Sequence, residues 1–403
     1  MRISTSMIQQ TGAGSLTSTQ SNMYQLQQEL ATGRSMLSAG DNPMAAGQAI
    51  TVGAAQAQNN GFTSVQTSAY NHLSLVGGAV SSVQNLLQSA RQLIVQAGNT
   101  SLSGADRNSI ATSLQSDYQQ LLGLANSTDG NGQYLFGGFN TTSQPFTGTP
   151  SGATYHGDQG QQQVQVTTGR MMSIGVSGAE LFQNVSTGNG TFVTGVGASN
   201  TGSGVIDTGT VSNYAQLTGD TYSIQFSQSG GKLQYSVHDQ TTNTTVVPAT
   251  TYVANAEISF DGLGVNISGT PAAGDTFSVA PSSKQDMFSG IQSAISLLTA
   301  PQAGPASTAA FTAGIGNSLK YMDNALNNVL TQQSTIGVNL QELSALKTST
   351  ATTGATLSST LSGLVDANYA QTVSQYVAAQ TAYQAAQDSY AKIAQMSLFS
   401  VIG

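Results

Sequence analysis

Histidine is the residue type best suited to acid–base chemistry near neutral pH, and the chain contains three: His72, His156 and His238. None has a second histidine or a carboxylate at the spacing by which a helix holds a metal ion. The segment GVSGA at 175–179 is close to the turn that presents a hydrolase nucleophile, but alanine replaces the final glycine and no triad partners stand out. We interpret the histidines as surface or packing residues and the segment as a turn after a strand.

A second chemical candidate is the segment DGNG at 129–132, which is similar to the start of a calcium-binding loop. It lacks the later ligands and the closing glutamate, so we interpret it as a turn between a helix and a hairpin. The chain also contains no cysteine, which excludes a disulfide framework and a thiolate metal site. We therefore predict that the protein is not an enzyme and binds no metal and no cofactor.

The composition excludes further classes of protein. Charged residues make up only 7% of the chain, whereas an average globular protein has about 25%. The net charge is −8 and the ten lysines and arginines are scattered, which argues against binding to nucleic acid or to a membrane surface. No apolar run is long enough to span a bilayer, and the first 30 residues lack the apolar stretch of a cleavable signal peptide. We expect export, if it occurs, to leave the N-terminus uncleaved.

Apolar residues recur at alternating three- and four-residue intervals between Phe62 and Ala97, which is a heptad pattern. Asn42 is a suitable N-cap, Pro43 suits the first helical position, and Gly98 is a stop signal. The pattern predicts one helix over residues 43–97. Because globular helices average about 11–12 residues, this length indicates a long bundle or coiled coil.

Two further striped helices are predicted, one over 104–126 with a near capping box at Ser103 and Asp106, and one across 311–343. Such stripes can be buried only against one another or against a partner, so we expect the two ends of the chain to lie side by side. The predicted core residues of this helical rod are Phe62, Leu73, Val76, Val80, Val83, Leu87, Ile94, Leu114, Leu121, Phe311, Ile315, Leu319, Leu326 and Leu340.

The two termini carry apolar stripes of their own. Four tyrosines recur every seven residues near the C-terminus, and a thinner stripe lies on a glycine-interrupted N-terminal segment. We predict that both bury these stripes in a partner, the alternative being that they pair with each other within one subunit. The predicted assembly residues are Ile3, Met7, Leu26, Leu30, Tyr369, Tyr376, Tyr383, Tyr390, Ile393, Leu398 and Phe399.

Alternation of apolar and polar residues replaces the helical pattern in the middle of the chain. The runs around Ile224 and Tyr235 alternate in this way, and Gly230-Gly231 between them is a hairpin signal. The predicted fold is therefore a mainly α rod of long N- and C-terminal helices with an inserted antiparallel β domain. Its predicted parts are a terminal segment at 1–41, half of the rod at 42–139, the insert at 140–283, the other half at 284–364 and a C-terminal helix at 365–403. We expect residues 141–283 to be removable without loss of the rod.

Several segments, in order along the chain, resemble the hook-associated protein 3 family of bacterial flagellar hook–filament junction proteins. They are MRIST at 1–5, LATGR at 30–34, DNPMAA at 41–46, NSTDGNGQYLFGGF at 126–139 with Pro145-Phe146 after it, and AQMSLF at 394–399. Two departures are Asn42, where the family usually has a second aspartate, and the ending SVIG at 400–403 in place of an aromatic–leucine ending.

The resemblance implies a structural protein of the flagellum, exported through the flagellar type III channel and located outside the cell. It implies a ring of copies between hook-associated protein 1 and flagellin, assembled through the terminal helices, and a flagellar export chaperone as a further partner. Flagellin itself is the nearest alternative, since it has the same plan of terminal helices and insert. An alternative of another class is a secreted hydrolase or adhesin carried on the β domain.

Overall fold

A computed structural model describes residues 5–395 of the chain. The six α-helices in this range carry most of the chain outside its middle third. Their bounds are α1 Thr5–Thr32, α2 Pro43–Ala97, α3 Gly104–Ala125, α4 Met287–Thr299, α5 Pro305–Val365 and α6 Tyr369–Gln395. The prediction of a mainly helical fold with long terminal helices and an inserted antiparallel β region is confirmed, and α2 has the bounds predicted from its caps.

The strands lie between α3 and α4, and every pairing among them is antiparallel. They are β1 Phe146–Thr149, β2 Gly152–Tyr155, β3 Gln163–Thr167, β4 Arg170–Ser173, β5 Val185–Ser186, β6 Phe192–Val196, β7 Val205–Ile206, β8 Thr210–Val211, β9 Tyr222–Ser229, β10 Lys232–Asp239, β11 Thr244–Thr251, β12 Glu257–Phe260, β13 Leu263–Ser268, β14 Thr276–Pro281 and β15 Lys284–Gln285. A short π-helix, Ala179–Gln183, precedes β5, and a 3₁₀ turn, Tyr214–Gln216, precedes β9.

The chain divides into two compact units. One contains Met1–Val65 and Leu346–Gly403, and the other contains Gln66–Ala345. Helices α2 and α5 contribute residues to both. In the first unit, the described residues form α1, the beginning of α2, the end of α5 and α6. Here α2 and α5 are joined by side-chain bonds: Asn59 Nδ2 donates to the carbonyl of Thr350 at 3.1 Å, and Gln56 Nε2 donates to Ser358 Oγ at 2.8 Å.

In the second unit, α2 and α5 pack antiparallel along a heptad seam. Arg91 pairs with Asp323 at 2.7 Å, and Gln333 donates to Ser81 at 3.1 Å. Buried apolar residues recur at three- and four-residue intervals along α2, which matches the predicted stripe. They are Ala69, Leu73, Val76, Val80, Val83, Leu87, Ala90, Ile94 and Ala97. The heptad pattern in the sequence is therefore the interior of a helix bundle.

Ten of the fourteen predicted rod-core residues are buried, and Phe62, Leu319, Leu326 and Leu340 are only half-buried. For the last three, the reason lies in the phase of α5. Its most buried apolar positions recur every seven residues beside the α2 seam, and a leucine three or four residues from each lies at the edge of the seam. These buried positions are Ile315, Met322, Val329, Ile336 and Leu343.

The strands from β6 to β14 form a sandwich of two sheets. One sheet has the order β11-β10-β9-β14-β6, and the other has the order β12-β13-β7 with β8 also paired to β13. The predicted hairpin is confirmed: β9 pairs with β10, and Gly230 and Gly231 both have positive φ. Inward side chains of the two sheets meet in a single apolar cluster, to which α5 contributes Ala313. Ser282 N donates to the carbonyl of Thr191 at 2.9 Å, so the two ends of this sandwich are adjacent.

The strands from β1 to β5 pack differently, because they join α3 and α4 through a cluster of aromatic rings. Phe146 lies 5.2 Å from Phe182 and 5.3 Å from Phe288 between ring centroids, and Phe182 lies 5.4 Å from Phe136. All four rings are fully buried. The predicted insert boundaries of 140 and 283 remain a prediction, and these contacts favour a shorter insert that begins after β5.

Candidate functional site

The residues first considered for chemistry lie in three separate places. His156 Nε2 bonds Thr147 Oγ1 at 2.7 Å, and His238 bonds Ser236 and Thr245. Burial lowers the pKa of His72, an effect that the charge of Asp129 opposes. Across residues 5–395, no group of three or more histidine, cysteine or acidic side chains is arranged to hold a metal ion.

The two glycine-containing candidate segments form turns. Asp129 Oδ1 accepts hydrogen bonds from the backbone N–H groups of Asn131 and Gln133, and Thr128 pairs with Tyr134. The interpretation of DGNG as a turn between a helix and a hairpin is therefore confirmed. Ser177, in the second segment, accepts from the N–H of Glu180 and begins the π-helix after β4. In the part of the chain that the structure describes, none of the helices combines the length and apolar character that a membrane span requires.

The terminal helices α1 and α6 pack against each other. A Cβ placed on Gly12 would lie 3.1 Å from Tyr390 Cδ2, so the tyrosine ring lies directly on the glycine backbone. Near the opposite ends of the pair, Leu26 of α1 and Ala379 of α6 line one groove and are both buried. The prediction that each terminal stripe lacks cover within its own subunit is therefore wrong for the described residues, because each helix covers part of the other.

The cover is thin. Among the described side chains of α1 and α6, only Leu26, Glu29, Thr372 and Ala379 are buried, and just two of these are apolar. A helix pair with so small a core has little apolar burial to stabilise it. The pair is therefore a surface with accessible apolar groups rather than a closed hydrophobic core.

The structure brings most of the predicted assembly residues to this pair. Tyr376, Tyr383, Tyr390 and Leu30 are half-buried, whereas Met7 and Tyr369 are 60% and 67% exposed. Three of the predicted residues lie outside the described range or have side chains that are not described. Ile3, Leu398 and Phe399 belong to the first group, and the side chain of Ile393 belongs to the second.

Backbone hydrogen bonds join the loop after α1 to the loop before α6. Ser35 N donates to the carbonyl of Val365 at 2.9 Å, and Ala367 N donates to the carbonyl of Gly33 at 2.9 Å. Arg34 and Asp366 form an isolated antiparallel bridge between these bonds. Gly33 has φ +70°, a conformation that other residues adopt only with strain. This crossing fixes where α1 and α6 begin their contact.

The next turn of chain is closed by Asp41 and Asn42. The Asp41 carboxylate accepts from the backbone N–H groups of Leu37 and Ser38, and the Ser38 hydrogen bonds hold the pKa of this carboxyl below its ordinary value. Asn42 Oδ1 accepts from the N–H of Ala45 at 3.0 Å, as the N-cap prediction requires. The departure from the family pattern at Asn42 therefore keeps the helix cap.

A second anchored loop carries the YLFGGF segment. Asp158 accepts hydrogen bonds from the N–H groups of Phe139, Asn140 and Gly160, and the bond from Phe139 is the main reason that the pKa of Asp158 lies below its ordinary value. Gly138 has φ +74°, and a Cβ there would lie against this carboxylate. The loop thereby holds Phe136 in the aromatic cluster and leaves Phe139 at the surface.

Sequence reasoning missed several of these positioning residues. Asp158, Asp366 and Thr372 carry no periodic signal, because their roles depend on backbone groups that are distant along the chain. Asp158 could have been noticed as the acidic residue of an Asp-x-Gly turn, DQG at 158–160, in a chain that has few acidic residues.

Comparison with known families gives two matches along the chain. The family model described as the bacterial flagellin N-terminal helical region matches residues 3–141. The model described as the flagellar hook-associated protein 1 D2-like domain matches residues 196–281, which is most of the β6–β14 sandwich.

Individual relatives match over greater lengths. Flagellar hook-associated protein 3 of Salmonella typhimurium is 29% identical over 402 residues, which cover 100% of this chain and 99% of the relative. The crystal structure of flagellar hook associated protein-3 from Legionella pneumophila has a TM-score of 0.75 at 30% identity, with coverage of 78% of this chain and 98% of that one. The chain belongs to the hook-associated protein 3 family. A second structure, of the flagellar junction protein FlgL from Legionella pneumophila, has a TM-score of 0.67 at 31% identity and covers 70% of this chain and 95% of that one.

Membership of the hook-associated protein 3 family makes this chain a structural component of the bacterial flagellum. Long terminal helices around a β region agree with the fold of the family's solved structures. Relatives that match the full length are junction proteins, whereas the flagellin model matches only the N-terminal part, so the junction interpretation is favoured over flagellin.

Proposed function

We propose that copies of this chain form a ring that joins hook-associated protein 1 to the flagellin filament. The observation that carries the proposal is the thin cover of the α1–α6 pair, which leaves Tyr369, Tyr376 and Tyr383 with accessible apolar surface in the isolated subunit. Side chains of this size gain about 1.5–3 kcal/mol each when they are fully buried. Neighbouring copies and the two flanking proteins would supply that burial.

The two family matches support this position between two different neighbours. Residues 3–141 are similar to the helical region of flagellin, and residues 196–281 are similar to a domain of hook-associated protein 1. A subunit that must pack on both proteins benefits from helices that follow the packing of one and from a sandwich related to the other. The sparse charge on the chain also limits repulsion between many identical copies.

Export and chaperone binding belong to the same proposal. The chain would leave the cell unfolded through the flagellar type III channel and fold at the growing tip, outside the cell. Before export, an export chaperone would cover the tyrosine stripe of residues 369–390. The absence of cysteine suits this route, because no disulfide has to form after passage.

Immunogold electron microscopy tests the position directly. The turn between β10 and β11 is exposed around Asn243 and accepts an epitope without disturbing the sandwich. On flagella of cells that produce the tagged chain, we expect one band of gold at the boundary between hook and filament. Label along the whole filament would instead identify the chain as a filament subunit.

A further inference from the structure

An apolar groove of about 520 Å³ lies within the first compact unit, between the beginning of α2 and the end of α5. Met44, Val52 and Leu364 supply much of its surface, and Gly47 and Thr360 also line it. No charged side chain is among the described residues that line it. Its volume falls within the range of clefts that bind ligands, roughly 300–1,000 Å³.

The groove is open in the subunit. Met44 is 76% exposed, which is unusual for a large apolar side chain beside other apolar groups. Ile50, two residues from groove residue Val52, is 75% exposed on the same helix. Apolar surface of this kind in a chain that assembles indicates a docking surface for an apolar segment.

The final eight residues, MSLFSVIG at 396–403, have the chemistry that fits this groove. They carry four large apolar side chains, Leu398, Phe399, Val401 and Ile402, and no charged side chain. The N-terminal residues MRIS, by contrast, include a charged arginine and a single large branched residue. The uncharged lining of the groove therefore favours the C-terminal segment over the N-terminal one.

A subunit cannot place this segment in its own groove. Helix α6 starts at Tyr369, five residues after groove residue Leu364, and its 27 residues extend for about 40 Å at 1.5 Å per residue. Eight further residues reach at most about 28 Å when fully extended. The reach is shorter than the helix, so the occupant must come from another molecule.

We propose that residues 396–403 of one copy dock in the Met44–Leu364 groove of a neighbouring copy. This contact is head-to-tail, because it joins two different surfaces of identical subunits, and contacts of that type generate rings or helical arrays. The inference rests on the proposed assembly of copies at the junction and specifies how one copy contacts the next.

Disulfide trapping in flagella tests the contact, since the chain has no cysteine of its own. Cells would produce two single-cysteine forms together, Met44→Cys and Phe399→Cys with different tags, and isolated flagella would be oxidised. We expect a mixed dimer at least tenfold above that obtained when Tyr214→Cys, an exposed site on the β domain, replaces Met44→Cys. A yield equal to this control would overturn the inference, as would trapping by Ile3→Cys in place of Phe399→Cys.

Two glycine substitutions on α2 provide a matched pair. A Cβ on Gly47 or on Gly61 meets no atom within 4 Å, so both positions accept a larger side chain, but only Gly47 lines the groove. Gly47→Phe should fill the groove and reduce trapping at least tenfold, and Gly61→Phe should leave it within twofold. Equal effects of the two variants would contradict the proposed contact.

The amount of each tagged chain in the isolated flagella separates the two proposals. If both chains are present at the hook and no mixed dimer forms, the groove contact is wrong while the junction position stands. If neither chain is found in flagella, the proposed junction position fails first.

Discussion

Asn126 and Phe146 bind each other through two hydrogen bonds: Asn126 Nδ2 donates to the Phe146 carbonyl at 2.9 Å, and Phe146 N donates to Asn126 Oδ1 at 2.9 Å. Asn126 caps the C-terminus of α3, and Phe146 is the first residue of β1. The pair therefore ties the first strand to the helices and places the Phe146 ring in the aromatic cluster. Strands β1 to β5 belong to the helical part of the fold for this reason.

A first prediction concerns the size of the removable insert. Deleting residues 192–281 and joining Thr191 to Ser282 by a two-glycine linker should leave a cooperatively unfolding helical protein, because these two residues are already hydrogen-bonded and only Ala313 and Asn317 of α5 lose contacts. Deleting residues 141–283 should abolish cooperative unfolding, since it removes Phe146 and Phe182 from the aromatic cluster. Thermal unfolding followed by circular dichroism checks both. Equal behaviour of the two deletions would show that the cluster does not support the helices.

The YLFGGF segment offers a matched pair of phenylalanines. Phe136 is fully buried against Phe182, whereas Phe139 is 67% exposed. Phe136→Ala should lower the free energy of unfolding by about 3–5 kcal/mol, and Phe139→Ala should change it by less than about 0.5 kcal/mol. Urea unfolding of both variants measures the difference. Similar losses would mean that Phe139 is covered in solution.

Glycines 12 and 14 test the packing of α1 on α6. Both lie inside α1, but a Cβ on Gly12 would touch Tyr390, and one on Gly14 meets nothing within 4 Å. Gly14→Leu should slow amide hydrogen exchange in α1, because leucine favours the helix. Gly12→Leu should push the Tyr390 ring aside and speed exchange in both α1 and α6. Slower exchange in both variants would show that the tyrosine does not pack on the glycine.

Two aspartates on α3 should respond to pH in opposite directions. Burial raises the pKa of Asp117 above its ordinary 3.8, although Ser89 hydrogen-bonds it, and no described group bonds its Oδ2. A carboxyl whose pKa is raised by folding destabilises the fold as the pH rises through that pKa. Asp117→Asn should therefore be more stable than the parent at pH 7, by about 1 kcal/mol, with the difference lost below the ordinary pKa.

The control for this prediction is Asp106, whose pKa is lowered by hydrogen bonds with Ser103 in the capping box. Its stabilising effect is present above the ordinary pKa and is lost as the pH falls through the lowered one. Asp106→Asn should therefore be less stable than the parent at pH 7 and match it in strong acid. Urea unfolding across pH 3 to 7 would measure both, and a common sign for the two variants would contradict the account.

Much of the helical architecture could be predicted from the sequence because it depends on local signals. Asn42, Pro43 and Gly98 mark the two ends of α2, and its heptad stripe marks the buried face. The aromatic cluster could not be predicted in this way. Phe136, Phe146, Phe182 and Phe288 come from a loop, a short strand, a π-helix and a short helix, and nothing periodic links them. Their contacts arise only when distant segments fold together.

The candidate site was predicted in part. The seven-residue spacing of the tyrosines predicted a helix over Tyr369–Tyr390, and α6 is that helix. Its packing on α1 was the less favoured alternative, since the stripe on α1 is thin and interrupted by Gly12 and Gly14. The structure explains the contact: the missing side chain at Gly12 leaves room for the Tyr390 ring. A glycine that weakens a helix in isolation thus permits its contact with a partner helix.

The central claim is that the C-terminal helix is the element through which the subunit takes its place at the junction. Electron microscopy of cells that produce only a chain lacking residues 369–403 tests it most directly, with culture medium assayed for released flagellin. The account predicts hooks without filaments, flagellin monomers in the medium and non-motile cells, while the truncated chain keeps a folded second unit. Full-length filaments on these cells would contradict the claim.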